Sequence, residues 1–462
     1  MQNVIANQLV STDPAFGLLK DHIIEATGLA YYRDKDAQLA AKVQARLAVV
    51  KLPGCRAYLE LLCRGHEGET ELNELAADLT IGETFFFRHR EQFDALREIV
   101  LPEIIRKNRD SRRLRLWHAG CSIGAEPYSA AILLEQDFGR ELAGWDVSIL
   151  ATDINRHFLG AARDGRFNDW ALRSSTEDFR RAHFVSDGLN WTLRESFRRR
   201  VSFQYHNLAR HPFPSLANNL AAFDIIFCRN VMMYFERERM RHLIGCFRDS
   251  LVEGGWMLVG PSETDVELFR EFRTVNVPGT TLYQKTLNPV SGFSWSLPVV
   301  PKVAAPPVWQ PAPLEINVPL PVPTRPQAPE AGDELVAVRT LADHGDWKAA
   351  LNRCQALLTR DPLRAEAHFF HALLLENMGE LTASEQALRK AIYLDRDYAL
   401  PHYHLGLLLR RRGDKAGAGR AFRNFAGILS ALDEQTEIAF AEGMTVSDLK
   451  EVAESELEML QE

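Results

Sequence analysis

Residues 114–129, LRLWHAGCSIGAEPYS, constrain this chain more than any other stretch. An apolar run reaches a glycine-bearing loop, and a helix begins just after it. Downstream, ILATDIN at 149–155 is a second apolar run that ends on the carboxylate of Asp153. An α/β domain holds an adenosine-containing molecule in this way: the loop admits the ligand to the backbone, and the acid accepts both ribose hydroxyls. Gly120 and Gly124 give G-x-x-x-G, not the tighter G-x-G-x-x-G that cradles a pyrophosphate, and no G-x-x-x-x-G-K-[ST] occurs. A cofactor without phosphates, S-adenosylmethionine, fits this spacing better than NAD or ATP.

From residue 113 onward, strand-like runs alternate with helical stretches. Candidate strands are 114–117, 147–151, 201–205, 224–227 and 256–259, and a final hairpin pairs 273–277 with 281–285 across Pro278-Gly279. The alternation predicts a doubly wound, Rossmann-like sheet. The first 80 residues read as helices: AQLAAKVQARLAVV and CRAYLELLCR space their apolar residues at about 3.6.

Composition shifts near residue 288. Twelve of the 22 prolines fall between Pro289 and Pro329, so this segment is expected to be an extended linker, a proline-recognising partner's ligand being the alternative. Beyond it Gly345, Gly379 and Gly413 stand 34 residues apart in similar surroundings, HGDWKAALNRC, MGELTASEQAL and RGDKAGAGRAF. That helix–turn–helix period is the signature of tetratricopeptide repeats, which present a concave surface for a helical or extended segment. The chain has a net charge of −8, and residues 432–462 alone carry ten acids and one base. EVAESELEMLQE in this tail can form an amphipathic helix that docks on the protein itself. The balance elsewhere is near neutral, unlike a nucleic-acid-binding protein.

No apolar run approaches the roughly 18–20 residues needed to span a bilayer, and MQNVIANQLVSTDPAFG does not read as a signal peptide. Six cysteines without C-x-x-C spacing suggest reduced thiols in a cytoplasmic protein, with Cys121 and Cys228 as apolar filler rather than nucleophiles. His118 and His206 lack partners at metal-ligand spacing and read as core or loop residues, so no metal is expected.

Four further segments carry chemistry: IGETFFFRHREQF at 81–93, HNL at 206–208, FDIIFCRNVMMYF at 223–235 and LVEGGWMLVGPSE at 251–263. With the opening motif, in this order, they resemble the chemotaxis receptor methyltransferase (CheR) family over roughly residues 15–287. The C-terminal half resembles the subgroup that carries tetratricopeptide repeats, of the kind found in surface-sensing systems. The resemblance implies a helical subdomain at 1–85, a Rossmann-like S-adenosylmethionine-binding methyltransferase domain at 86–287, a proline-rich linker at 288–332, all-α repeats at 333–432 and an acidic helical tail at 433–462.

Carried over position by position, the family's cofactor contacts fall on Thr84, Arg88, Glu126, Asp153, Asn207, Leu208, Arg229 and Asn230. Glu126 accepts from the methionyl amino group, Asp153 holds the ribose diol, Asn207 meets a polar edge of adenine and Leu208 packs on its face. Arg88 and Tyr234 are the catalytic candidates, holding the acceptor carboxylate in line with the methyl. The implied reaction is methyl transfer to glutamate side chains in the cytoplasmic helical domain of a chemoreceptor, giving methyl esters. A partner for the repeats is implied but not identified, and neither nucleic acid nor membrane insertion is.

Three positions depart from the family. Gly82 stands where many members have asparagine, Ala125-Glu126 replaces paired acids, and Pro261 replaces a histidine. The small β-subdomain expected at 166–201, which in some members captures a receptor's C-terminal pentapeptide, is compact with one glycine, Gly188. Receptor recognition without that tether is expected, with Lys42, Arg46 and Arg56 as candidate contacts to an acidic helix bundle. Rival readings are a methyltransferase for RNA, DNA, protein amides or small molecules, and a repeat scaffold with a degenerate site. The CRNV that stands where amide and amine methyltransferases place [DN]-P-P-[YF] weighs against the first of these.

Overall fold

The computed structural model describes residues 10–287, 293–294 and 331–461, apart from 435, 437, 439, 442 and 443. Most of the proline-rich stretch at 288–332 therefore lies outside the described residues.

Helices Phe16–Thr27, Asp36–Val50, Cys55–Leu62 and Gly65–Leu79 form the N-terminal bundle. Their apolar stripes meet in a core that includes Leu19, Ile23, Leu39, Val43, Tyr58 and Leu75. Gly28 closes the first helix at φ +77 and lies so near Phe235 that a Cβ would sit 2.2 Å from the ring. Glycine is thus required there twice over, by conformation and by space.

The strands are β1 Arg113–Ala119, β2 Asp146–Asp153, β3 Arg166–Phe167, β4 Phe184–Ser186, β5 Trp191–Leu193, β6 Val201–Tyr205, β7 Phe223–Cys228, β8 Leu251–Val259, β9 Phe272–Val277, β10 Thr280–Lys285 and β11 Phe293–Ser294. The main sheet runs β11-β9-β10-β8-β7-β1-β2-β6, and β3, β5 and β4 form a separate antiparallel ribbon. β6, β2, β1, β7 and β8 are parallel, while β10 is antiparallel between β8 and β9. Strand order reverses between β1 and β7, so the crevice for a ligand opens beyond the carboxyl ends of these central strands. All six residues of β7 are buried, as expected of a strand covered on both faces by helices.

Three antiparallel helix pairs follow: Ala331–Asp343 with Trp347–Arg360, Ala365–Asn377 with Leu381–Leu394, and Ala399–Arg411 with Lys415–Ser430. Gly345, Gly379 and Gly413 turn each pair at φ near +80, which is the physical content of the 34-residue spacing. The first helices of the three pairs face the methyltransferase domain. Asp343 accepts from the Leu216 N–H (2.9 Å), Asn377 from Arg113 (3.0 Å), and His404 is bonded to the Ala217 carbonyl (2.8 Å). Leu216, Ala217 and Ala221 belong to the same apolar core as Val338, Phe369 and Leu373. The first helices of the repeats are thus in contact with the chain's own loop before β7, which buries Leu216, Ala217 and Ala221 against them.

The acidic tail forms helix Val446–Gln461, which lies against β6 and helix Lys415–Ser430. Arg156 makes ion pairs with Asp448 and Glu451, and Arg410 pairs with Glu456. The tail therefore docks on the chain itself, against the last repeat helix, whose core it shares, and along the open edge of the sheet, which it covers.

Candidate active site

At the carboxyl ends of β1 and β2 a cavity of about 290 Å³ is lined by Thr84, Arg88, Glu126, Asp153, Asn207, Leu208, Arg229, Asn230 and Tyr234. All the sequence-derived candidates thus meet in one place. The loop after β1 makes this possible: Gly120, at φ +78, lies where a Cβ would come within 2.2 Å of Val231, and Gly120 and Cys121 both donate to the Thr152 carbonyl. Ser122, at φ 51, then turns its N–H onto Asp153 Oδ2 at 2.8 Å.

Asp153 ends β2 with its other oxygen accepting from the Asn155 N–H at 2.8 Å. It is 8% exposed, and burial lifts its carboxyl to about 6 against these backbone donors. A desolvated carboxylate with only backbone partners, facing a cavity, is suited to accept two ribose hydroxyls. Glu126, in the first turn of helix Ala125–Phe138, is bound by His118 Nδ1 at 2.8 Å and by Arg229 Nη1 at 2.9 Å. Burial pushes Glu126 up, but Arg229 and His118 outweigh it and hold the carboxyl below its ordinary value.

The structure adds to three expectations. The Asn207 amide donates to the Ala26 carbonyl (2.8 Å) and accepts from the Ala209 N–H (2.9 Å). One N–H thus ties the pocket to the N-terminal bundle and one lone pair holds the local turn, in a residue that still lines the cavity. The Arg229 side chain is 1% exposed behind Glu126 and also donates to the Arg88 carbonyl, so it positions two neighbours. His118 is more than a core residue. Stacked on Phe227 at 4.3 Å, it is the second partner of Glu126. Cys121 and Cys228 are buried, and burial raises both thiols well above their ordinary range.

Several residues were not visible to sequence reasoning. Glu263 accepts four backbone N–H bonds, from Asn230 (2.7 Å), Val231 (2.8 Å), Met233 (3.2 Å) and Gly260 (2.7 Å). It thereby fixes the loop in which Asn230 adopts φ 59. The proximity of GPSE to CRNV could not be read without the sheet order. Thr27, Leu29, Tyr31 and Tyr32 bring a wall of the cavity from the N-terminal bundle. Tyr31 meets Tyr234 edge-on at 5.8 Å. Phe158 fills the space beside Gly82, where a Cβ would lie 2.5 Å from its ring. The missing asparagine is thus a matter of volume.

Arg88 stands at the mouth, its guanidinium donating to the Glu83 carbonyl at 2.8 Å. Tyr234 sits in the short helix after β7, and burial beside Tyr31 raises its phenol. Among the candidate receptor contacts, Lys42 and Arg56 are exposed. Arg46 is not available: it binds Glu71 at 2.9 and 2.7 Å, and Tyr58 joins the same carboxylate at 2.6 Å.

A crevice at the strand reversal with a glycine-bearing loop and a buried acid, Asp153, at the end of β2 fits the class that comparison with known proteins gives: this is an S-adenosylmethionine-dependent methyltransferase. The family model described as CheR methyltransferase, SAM binding domain matches residues 82–280. Chemotaxis protein methyltransferase 2 of Vibrio cholerae is 30% identical over 281 residues, which cover 60% of this chain and 95% of that protein. Chemotaxis protein methyltransferase 1 of Pseudomonas aeruginosa is 30% identical over 58% of this chain and 97% of its own length. The similarity to the probable biofilm formation methyltransferase WspC of the same organism is 28% but runs across 76% of this chain and 84% of that protein, into the repeats. The chain belongs to the CheR family and is a protein-glutamate methyltransferase.

Proposed function

We propose that the acceptor is a glutamate in the cytoplasmic helical domain of a chemoreceptor, methylated as part of a chemotaxis-like or surface-sensing pathway in the cytoplasm. The observation that carries this reading is the union, in one cavity, of the acids Asp153 and Glu126 with Arg88 and Tyr234. The first pair suits the nucleoside and amino-acid ends of S-adenosylmethionine. The second suits a carboxylate arriving from outside.

When bound, S-adenosylmethionine supplies an electrophilic methyl group on a sulfonium. An ionised glutamate needs no general base to accept it, and both charges vanish as ester and thioether form. Water stabilises the separated ions and so slows the step. The useful work of the protein is to align the reactants and exclude solvent. Arg88 and Tyr234 orient the incoming carboxylate, while Phe158, Tyr31 and Leu29 form apolar walls.

The turn between β4 and β5 is short, closed by Asp187 Oδ1 accepting from Leu189 (2.9 Å) and Asn190 (2.6 Å). This supports recognition of the receptor bundle directly, through exposed bases such as Lys42 and Arg56, without a tethered pentapeptide. Labelled S-adenosylmethionine with membranes from the native cell, followed by mass spectrometry of the labelled protein, tests the substrate. Base-labile label on receptor glutamates is expected, and stable label on another residue type would refute the reading. Arg88→Ala turnover near wild type at saturating cofactor would remove that residue from the reaction.

A further inference from the structure

With the row of first helices buried against the methyltransferase, a partner of the repeats must use another surface. Such a surface lies on the outer side of the last two pairs: a groove of about 860 Å³ between helices Leu381–Leu394 and Lys415–Ser430. Leu405 and Leu409 form its apolar floor, and Tyr393 stands 73% exposed at its rim. Arg396, Arg420 and Arg423 line the groove, all exposed, and none has a carboxylate partner among the described residues. Arg389, also in the lining, is already paired with Glu385 at 2.9 Å. Asp397 adds one carboxylate to the lining, so the groove carries an excess of cations over a greasy floor.

We infer that this groove docks an acidic segment of another protein, one presenting several carboxylates around one or two apolar side chains. Charge selects the occupant. Four of the tail's ten acids are engaged elsewhere: Glu434 with His66 and Lys450, Asp448 and Glu451 with Arg156, and Glu456 with Arg410. A second copy of the chain offers the same tail, with those four acids engaged. The proline-rich stretch carries as many bases as acids, with Lys302 and Arg325 against Glu315 and Glu330, and gives no such match. Three guanidiniums suit carboxylates, and the aliphatic floor suits a buried side chain better than it suits a nucleic-acid backbone. Helix Lys415–Ser430 shapes the groove by omission: at Gly427 an added Cβ would touch nothing, so its absence serves no packing inside the protein.

The assignment is independent of the methyl acceptor, because the groove is remote from the cofactor cavity and shares no residue with it. The test uses the full chain and fluorescence anisotropy with a labelled amphipathic peptide rich in glutamate and leucine. Its twin has every glutamate replaced by glutamine, and a thymidine oligonucleotide serves as a third probe. The glutamate peptide is expected to bind at least about tenfold tighter than its twin, with affinity falling as salt rises. Arg420→Glu with Arg423→Glu should abolish this preference. Gly427→Met, which fills the groove without changing charge, should weaken binding by about tenfold or more while melting temperature and S-adenosylhomocysteine affinity stay as in wild type. Equal binding of the two peptides, or unchanged affinity in both variants, would overturn the inference. So would tighter binding of the oligonucleotide, or no saturable peptide binding at about 1 mM.

Discussion

Replacing Glu263 by glutamine tests how the methyl-transfer pocket is held open. Its Oε2 accepts from Asn230 and Gly260, and its Oε1 from Val231 and Met233. Glutamine has the same shape but one acceptor oxygen. Whichever way the amide turns, two backbone N–H groups lose their acceptor and face an NH2 instead. Hydrogen bonds to a charged group are worth about 1.5–3 kcal/mol each, so the loss is about 3–5 kcal/mol after local relaxation. At roughly 2–4 °C per kcal/mol for a domain of this size, the melting temperature should fall by roughly 6–20 °C. Calorimetry with S-adenosylhomocysteine should show at least about tenfold weaker binding, because Arg229 and Asn230 ride on the same loop. Glu267→Gln is the control, since that side chain is exposed and pairs only with surface arginines. A Glu263→Gln protein that melts within about 2 °C of wild type and binds within twofold would refute the argument.

Asp153, lifted to about 6 by burial, gives a pH signature. Its raised value stabilises the ligand-free fold below the ordinary carboxylate range and withdraws that stability as pH rises through 6. Ligand affinity runs the other way, since ribose needs the ionised acid: S-adenosylhomocysteine binding should weaken by about tenfold per unit below pH 6. Asp153→Asn should bind weakly with no slope, and a pH slope that persists in calorimetry of this variant would assign the titration elsewhere. Gly82→Asn should cost about 1–3 kcal/mol by crowding Phe158, and Phe158→Ala in the same chain should relieve it. Melting data that add to within about 0.5 kcal/mol would show the two positions are uncoupled. Arg46→Ala should lower stability by about 3–5 kcal/mol because it leaves the buried Glu71 unpaired, whereas Arg56→Ala should change it by less than about 0.5 kcal/mol. Thermal melting of both separates a folding defect from lost receptor recognition.

The parts legible in the sequence were those whose cause is local. Strand period, the glycine loop, the acid at the end of β2 and the glycine spacing of the repeats each follow from a few adjacent residues. The illegible parts depend on partners far along the chain. That Asn207 also ties the pocket to Ala26, 181 residues earlier, is not legible from HNL. Arg46 reads as a surface base until helix Gly65–Leu79 brings Glu71 beneath it. Gly82 reads as a lost contact until Phe158 is seen in the vacant volume. In each case the residue type is legible and its partner is not. Pairings of that range are set by the order of strands and the packing of the bundle, which no short window contains.

The same distinction explains the repeats. A 34-residue period specifies helix pairs and a hollow face, but not what fills it. Here the first helices meet the chain's own loop before β7, and the position of that contact is informative. Arg113 and Asp146 begin β1 and β2, and Leu216, Ala217 and Ala221 lie before β7, so the repeats sit at the amino ends of the parallel strands. The cofactor cavity is at the opposite ends. The tail helix runs between these levels along β6 and grips Arg156, three residues beyond Asp153 and stacked 3.9 Å from the Tyr205 ring. The repeats are thus joined to the segment that follows Asp153 through a packed core and two buried or half-buried ion pairs rather than a free tether. A partner on the outer groove would be joined to the cofactor pocket by folded structure throughout.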